Sequence, residues 1–246
     1  MSASSEFSVL PWDSDFFGRR IARINASEFD AGSAERILAN ARNQDIDCLY
    51  LLIDASSIEQ AHAATGAGFE LVDVRVTREV AAPKNESFAF PENVSLFQPE
   101  DLPALRAIGR VSHRDSRFYY DPSFPSHRCD DLYETWIENS CTGGAAGVVV
   151  ARSGGSAVGY VTCEIPEEGL GNLGLVAVAQ GEVGQGHGGR MVEGALGWLG
   201  SKDCTRIQVV TQARNVNAAR LYEAGGFKTI RVENSYHLWL SRKESE

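Results

Sequence analysis

Apolar positions along the chain recur in two rhythms, every three to four residues in some stretches and alternating or unbroken in others. Residues 33–43 carry Ile37, Leu38 and Ala41 at helical spacing, and residues 49–53 form an apolar run that predicts a buried strand. Residues 58–65 predict a short helix, stopped by the Gly66-Ala67-Gly68 turn. Leu71, Val74 and Val76 then mark a strand over 69–80. Residues 81–93, with two prolines and mixed polar residues, predict a linker that divides the chain into domains 1–93 and 94–246. Beyond it the pattern predicts helices over 101–111 and 130–139, joined by a loop over 112–128 rich in aromatic and polar residues. A hairpin over 146–152 and 157–165 follows, then a strand over 172–178, a glycine-rich loop and a helix to about residue 200. A strand over 206–212, a helix over 216–224 and two strands ending at Leu240 complete the series. Upstream of these elements, residues 8–29 make an aromatic and acidic segment containing Trp12, Asp13, Phe16 and Phe17.

One passage echoes another. Strand, Ser57, helix, Gly66-Ala67-Gly68-Phe69, strand matches strand, Asn215, helix, Ala224-Gly225-Gly226-Phe227, strand, with the phenylalanines in register. A helix stop followed by a buried Phe is also a common junction between helix and strand. If the echo is a true repeat, Ala64 stands where the second copy has Tyr222, so the chemistry belongs to the C-terminal copy.

Composition narrows the function classes. The 246 residues are 43% hydrophobic and 23% charged, an ordinary globular balance that excludes a disordered, collagen-like or disulfide-dense chain. A net charge of -10 repels polyanions and argues against extended nucleic-acid binding. Cys48, Cys129, Cys141, Cys163 and Cys204 are widely spaced without a CxxC pair, so neither a disulfide framework nor a metal site is expected, and a reducing cytoplasm fits. The first residues lack a basic start and an apolar run, and no apolar stretch approaches membrane-spanning length, so neither export nor a membrane partner is expected.

The strongest local signal is Val183-Gly184-Gln185-Gly186-His187-Gly188-Gly189-Arg190, between a strand and an amphipathic helix. Glycines let successive N–H groups converge on an anion, and the helix start adds partial positive charge, so a phosphate or pyrophosphate is the natural guest. Gly184, Gly186 and Gly189 satisfy G-x-G-x-x-G, but Asp203 precedes the next strand instead of ending it, which disfavours a dinucleotide fold. Arg190 and Met191 occupy the places where a Walker loop needs Lys and Ser or Thr.

Val176-Ala177-Val178, the loop, its helix, and the run from Asn215 through Tyr222 to Gly226-Phe227 resemble the acyl-CoA core of the GNAT superfamily of N-acetyltransferases over about residues 94–240. The family loop usually begins with Gln or Arg, where this chain has Val183. The resemblance implies an α/β fold, a central mixed twisted sheet flanked by helices, with a smaller α/β N-terminal domain like a truncated half. It implies acetyl-CoA as acyl donor, held by Val176, Val178, Gly184, Gly186, Gly188, Gly189 and Asn215, with Tyr222 protonating the departing sulfur. Asn215 also reads as a helix cap and Tyr222 as a core aromatic.

Trp12, Asp13, Phe16-Phe17-Gly18, Ser116-Arg117-Phe118, Trp136-Ile137-Glu138-Asn139 and Val210-Thr211-Gln212 resemble members of that superfamily that N-acetylate a 4-amino-4,6-dideoxy sugar on a nucleotide carrier. Arg117, Tyr119 and Tyr120, with His127, are then candidates for phosphate and base contacts, since Arg suits a diphosphate and an aromatic face suits a pyrimidine. Glu164 is a candidate general base, and His113 and His187 have no assigned role. Another small-molecule or peptide amine as acceptor, and a non-catalytic acyl-CoA-binding module, stay open. So does oligomeric state, for which a homodimer is the commonest outcome.

Overall fold

The computed structural model describes residues 6–25, 28–83 and 88–240. Two compact units emerge, one made of residues 1–75, 116–125 and 231–246, the other of 76–115 and 126–230. The units interleave along the chain and so divide it differently from the 1–93 and 94–246 stretches.

The first unit contains β1 (Phe7–Val9), α1 (Pro11–Phe17), β2 (Ile21–Ile24), α2 (Ala31–Asn43), β3 (Cys48–Asp54), α3 (Ile58–Gly66) and the start of β4 (Glu70–Ala81). β1 pairs antiparallel with β2, β2 parallel with β3, and β3 antiparallel with the last strand of the chain. α2 starts on a capping box: the Ser33 N–H donates to the Asp30 carboxylate at 2.7 Å, and the Asp30 N–H donates to the Ser33 hydroxyl at 2.9 Å. Its buried face, Ala34, Ile37 and Ala41, packs on Leu49, Leu51 and Ile53 of β3. Those alternate positions give the sheet one apolar face.

The segment over 8–29 is therefore strand, helix and strand. Its elements are short and α1 buries no residue, so no periodic signal marks them. The expected pair of C-terminal strands is one twelve-residue strand, counted in order as β10 (Lys228–Trp239). Polar Glu233, Asn234 and Ser235 in its middle stay extended because they pair with Asp54, Ile53 and Leu52.

The second unit holds β5 (Val94–Leu96), α4 (Leu102–Val111), α6 (Ser126–Asn139), β6 (Gly147–Ser153), β7 (Ser156–Glu167), β8 (Leu170–Val178), α7 (His187–Gly200), β9 (Arg206–Gln212) and α8 (Val216–Ala224). The loop expected over 112–128 also contains a one-turn helix of the first unit, α5 (Arg117–Tyr120). Within the second unit the strand order is β4-β9-β8-β7-β6-β5, with β4 entering from residue 76, parallel between β8 and β9 and antiparallel from β8 to β5. Period-two alternation sends Val149, Ala151, Val161 and Cys163 toward Met191, Ala195 and Leu199 of α7. Val148, Val150 and Tyr160 face Leu105 and Ile108 of α4 and Ile137 of α6.

Of the stretch read as a linker, residues 84–87 lie outside the described residues. The flanking Phe88 and Phe90 pack on the α7 core. Glycine in α7 permits this: a Cβ at Gly197 would collide with the Phe88 ring, and one at Gly200 would lie 2.7 Å from the Pro83 carbonyl oxygen. Among the described residues no helix is long and apolar enough to cross a membrane.

Candidate active site

β8 is the pivot of the second unit. Its parallel ladder with β9 ends at Leu173↔Val209, although β8 runs on to Val178 and β9 to Gln212. A bulge accompanies the departure. The register with β7 shifts between Val161↔Val176 and Cys163↔Leu173, and the Leu175 N–H donates to the Thr162 hydroxyl at 2.7 Å instead of to a ladder carbonyl. Only glycine fits beside that hydroxyl, because a Cβ at Gly174 would lie 2.5 Å from it.

The consequence concerns hydrogen-bond direction. The N–H groups of Leu175 and Ala179 point to β7, the latter onto the Val158 carbonyl at 2.8 Å. By alternation those of Val176 and Val178 point the other way, toward the side where the β9 ladder has ended. Backbone donors beyond the end of a ladder are ready to receive a carbonyl or amide of an extended ligand.

The glycine loop follows at once. Gly184 (φ +87°) and Gly186 (φ +81°) occupy left-handed backbone conformations, and Gly186 caps α7 without a side-chain cap. Gly188 packs against Val178 and Leu221, while Gly189 faces open space. His187 is buried and holds the turn closed. A guanidinium can only donate, so His187 Nδ1 accepts from Arg190 at 3.1 Å and Nε2–H donates to Glu182 at 3.2 Å. Val183 is 64% exposed and buries nothing.

Asn215 caps α8, its side-chain oxygen accepting the Ala218 N–H at 3.0 Å. One turn further on, the Tyr222 ring is buried edge-to-face against Phe227 at 5.6 Å. Its hydroxyl has no hydrogen-bond partner among the described residues. Burial raises its pKa well above that of an ordinary phenol, so it keeps its proton at neutral pH. The aromatic is thus packed in the core by its ring and unengaged at its polar tip. An open strand edge, an amide-rich loop and a buried proton donor suit a long thioester ligand that carries a diphosphate.

The remaining candidates lie on other elements. Arg117, Tyr119 and Tyr120 form α5 of the first unit, where the Arg117 guanidinium lies 4.9 Å over the Tyr50 ring and Tyr120 is exposed. His127 is exposed near the start of α6, and Glu164 is exposed on β7 opposite Asn172. His113 stacks on Tyr133 at 4.6 Å with Nε2 3.0 Å from the Tyr160 hydroxyl, and burial pushes its pKa down to about 4. Sequence reasoning missed a buried Asp–His pair in the first unit: His237 Nδ1 donates to Asp121 at 2.6 Å, and Trp239 Nε1 donates to the same oxygen at 2.9 Å. Residues this far apart in the chain carry no local motif. Among the described residues no group of three His, Cys, Asp or Glu side chains is placed to hold a metal ion.

Residues 113–227 match the model of the Acetyltransferase (GNAT) family. The chain is 26% identical over 244 residues to dTDP-fucosamine acetyltransferase of Escherichia coli O6:H1, covering 98% of this chain and all of the relative. It is 28% identical over 240 residues to spore coat polysaccharide biosynthesis protein SpsD of Bacillus subtilis, covering 93% of this chain and 81% of that one. Among solved structures, a GCN5-related N-acetyltransferase from Sphaerobacter thermophilus superposes with a TM-score of 0.65 at 14% identity, over 96% of this chain and 76% of that one.

Proposed function

We propose that the chain, whose residues 113–227 match the Acetyltransferase (GNAT) family, transfers an acetyl group from acetyl-CoA to the amine of a nucleotide-linked amino-dideoxy sugar, such as a dTDP-4-amino-4,6-dideoxyhexose. The observation that carries the donor side of this reading is the free edge of β8 at Val176 and Val178 beside the Gly184–Gly189 amides. Names of the two relatives, one an amino-sugar acetyltransferase and one a polysaccharide biosynthesis protein, support the acceptor class.

Acetyl-CoA, when bound, supplies the acetyl thioester and a thiolate leaving group. The residues present fit it. Val176 and Val178 N–H groups hold the pantetheine arm and polarise the thioester carbonyl, as fixed backbone dipoles that need no reorganisation. Amides of Gly184, Gly186, Gly188 and Gly189 hold the diphosphate, with the positive end of α7 behind them. Asn215 fixes the start of α8 and so the position of Tyr222, whose phenol keeps a proton for the sulfur. Arg117, Tyr119 and Tyr120 contact the nucleotide of the acceptor. In terms of sequence, residues 94–246 are the catalytic half and 1–93 the smaller related half.

Release of CoA with a panel of amines tests the reading. Turnover with a dTDP-linked 4-amino sugar, and little with polyamines or peptides, is the expected pattern. Turnover confined to peptide or polyamine amines would replace the acceptor. Binding of acetyl-CoA without turnover of any amine would make the chain a non-catalytic acyl-CoA-binding module.

A further inference from the structure

The two faces of the first unit's sheet differ in kind. Leu49, Leu51, Ile53 and Tyr236 face α2 and α3 in an apolar core. On the opposite face, register places Arg23, Tyr50 and His237 side by side across β2, β3 and β10. Tyr50 stacks on His237 with ring centroids 4.4 Å apart, and Arg117 covers Tyr50 from α5.

Three atoms of this cluster are buried without a hydrogen-bond partner: the Tyr50 hydroxyl, Arg117 Nε and His237 Nε2. Native interiors rarely leave such groups unpaired. Because His237 Nδ1 donates to Asp121, its Nε2 presents a lone pair, while Arg117 and Tyr50 present protons. Two cations of the cluster also lack an ion-pair partner: neither Arg23 nor Arg117 makes an ion pair among the described residues, although the field of both reaches Asp13. Arg75 and Arg231 share Glu233, each at 3.4 Å. Arg23, Arg75, Arg117 and Arg231 thus share one neighbourhood, with Asp13, Asp54, Asp121 and Glu233 as their counter-charges.

We infer that Arg23, Tyr50, Arg117 and His237 form a subsite for a sugar phosphate, with Arg23, Arg117 and Tyr50 donating to phosphate oxygens and His237 Nε2 accepting from a sugar hydroxyl. Donors alone would suit any anion; a buried acceptor beside them suits a ligand that also carries hydroxyl groups. The assignment rests on the proposed acceptor, whose nucleotide diphosphate has both groups. Asp121 acts as a positioning residue, holding the His237 tautomer that leaves Nε2 free.

The test is calorimetric titration of the full chain with dTDP, with inorganic pyrophosphate and with acetyl-CoA, for the parent and for Arg23→Gln and Tyr50→Phe. Both substitutions keep the fold accessible, since Arg23 is exposed and Tyr50→Phe removes one oxygen. Each is expected to weaken dTDP about tenfold, the loss of one charge-assisted or buried hydrogen bond, and to leave acetyl-CoA affinity within twofold. Pyrophosphate, lacking hydroxyl groups, should bind more weakly than dTDP and lose affinity in Arg23→Gln. Unchanged dTDP affinity in both variants, or no dTDP binding by the parent, overturns the subsite. Turnover of an amino-sugar nucleotide with KM unaltered in Arg23→Gln also overturns it while the proposed activity stands. Loss of dTDP affinity in the variants of a chain that acetylates no sugar nucleotide keeps the subsite and removes the activity.

Discussion

Two segments of the molecule, β3–α3–β4 and β9–α8–β10, are built on one hydrogen-bond plan. Ser57 N–H bonds to Asp54 O at 2.9 Å as Asn215 N–H does to Gln212 O at 3.0 Å, and Ala61 to Ser57 matches Ala219 to Asn215. At the helix ends, Gly68 N–H to Thr65 O and Phe69 N–H to Ala64 O reappear as Gly226 to Glu223 and Phe227 to Tyr222, all four at 3.0 Å. Even the cap residues agree, Ser57 at φ -85°, ψ 73° and Asn215 at φ -81°, ψ 77°. Of the side chains that differ between them, two bear on chemistry. The first copy has Ala64 and an uncapped Ser57, whereas the second has Tyr222 and a side-chain cap from Asn215. A backbone scaffold has been kept twice, and the groups suited to chemistry decorate only one copy.

The largest expected effect breaks that pairing at its reactive member. Tyr222→Phe keeps the buried ring and its contact with Phe227, so stability and CoA affinity should hold while kcat falls about 100-fold, the range of a lost general acid. Stopped-flow or steady-state CoA release measures it; full activity would move the proton donor elsewhere. Next come the two glycines. At Gly68 (φ +89°) and Gly226 (φ +82°) a Cβ would make ordinary van der Waals contact, its nearest neighbour at 3.7 Å, so an alanine there pays backbone strain alone. Gly68→Ala and Gly226→Ala should each cost about 1–2 kcal/mol in urea unfolding. A clear inequality between them would show that the two turns are not under the same constraint.

Legibility in the sequence followed the same division. Residues 206–212 and 216–224 were readable to the residue because alternation, a capping Asn and a Gly-Gly stop agree there. The places of the glycine loop before α7 and of Tyr222 on α8 were readable for that reason too. The splay of β8 was not, because it hangs on one cross-strand bond from Leu175 to the Thr162 hydroxyl, which no local pattern announces. Removing that acceptor with Thr162→Val leaves the Leu175 N–H unpaired at a cost of about 1–3 kcal/mol. If the bulge sets the free edge, the same variant should raise the KM for acetyl-CoA. The row Arg23, Tyr50, His237 was equally invisible, since three strands distant in sequence bring it together only through register.

The smallest effect is the most discriminating. Asn215 and Ser57 hold nearly identical backbone conformations at the start of equivalent helices, yet only Asn215 bonds to a first-turn amide, the Ala218 N–H at 3.0 Å. Asn215→Ala should therefore cost about 1 kcal/mol, and Ser57→Ala less than about 0.5 kcal/mol. Because α8 also carries Tyr222, loss of its cap should lower turnover beyond what the fall in folded fraction explains, whereas Ser57→Ala should leave turnover unchanged. Equal losses of stability at the two positions would mean that Ser57 caps its helix in solution, and the asymmetry between the copies would shrink to the tyrosine alone.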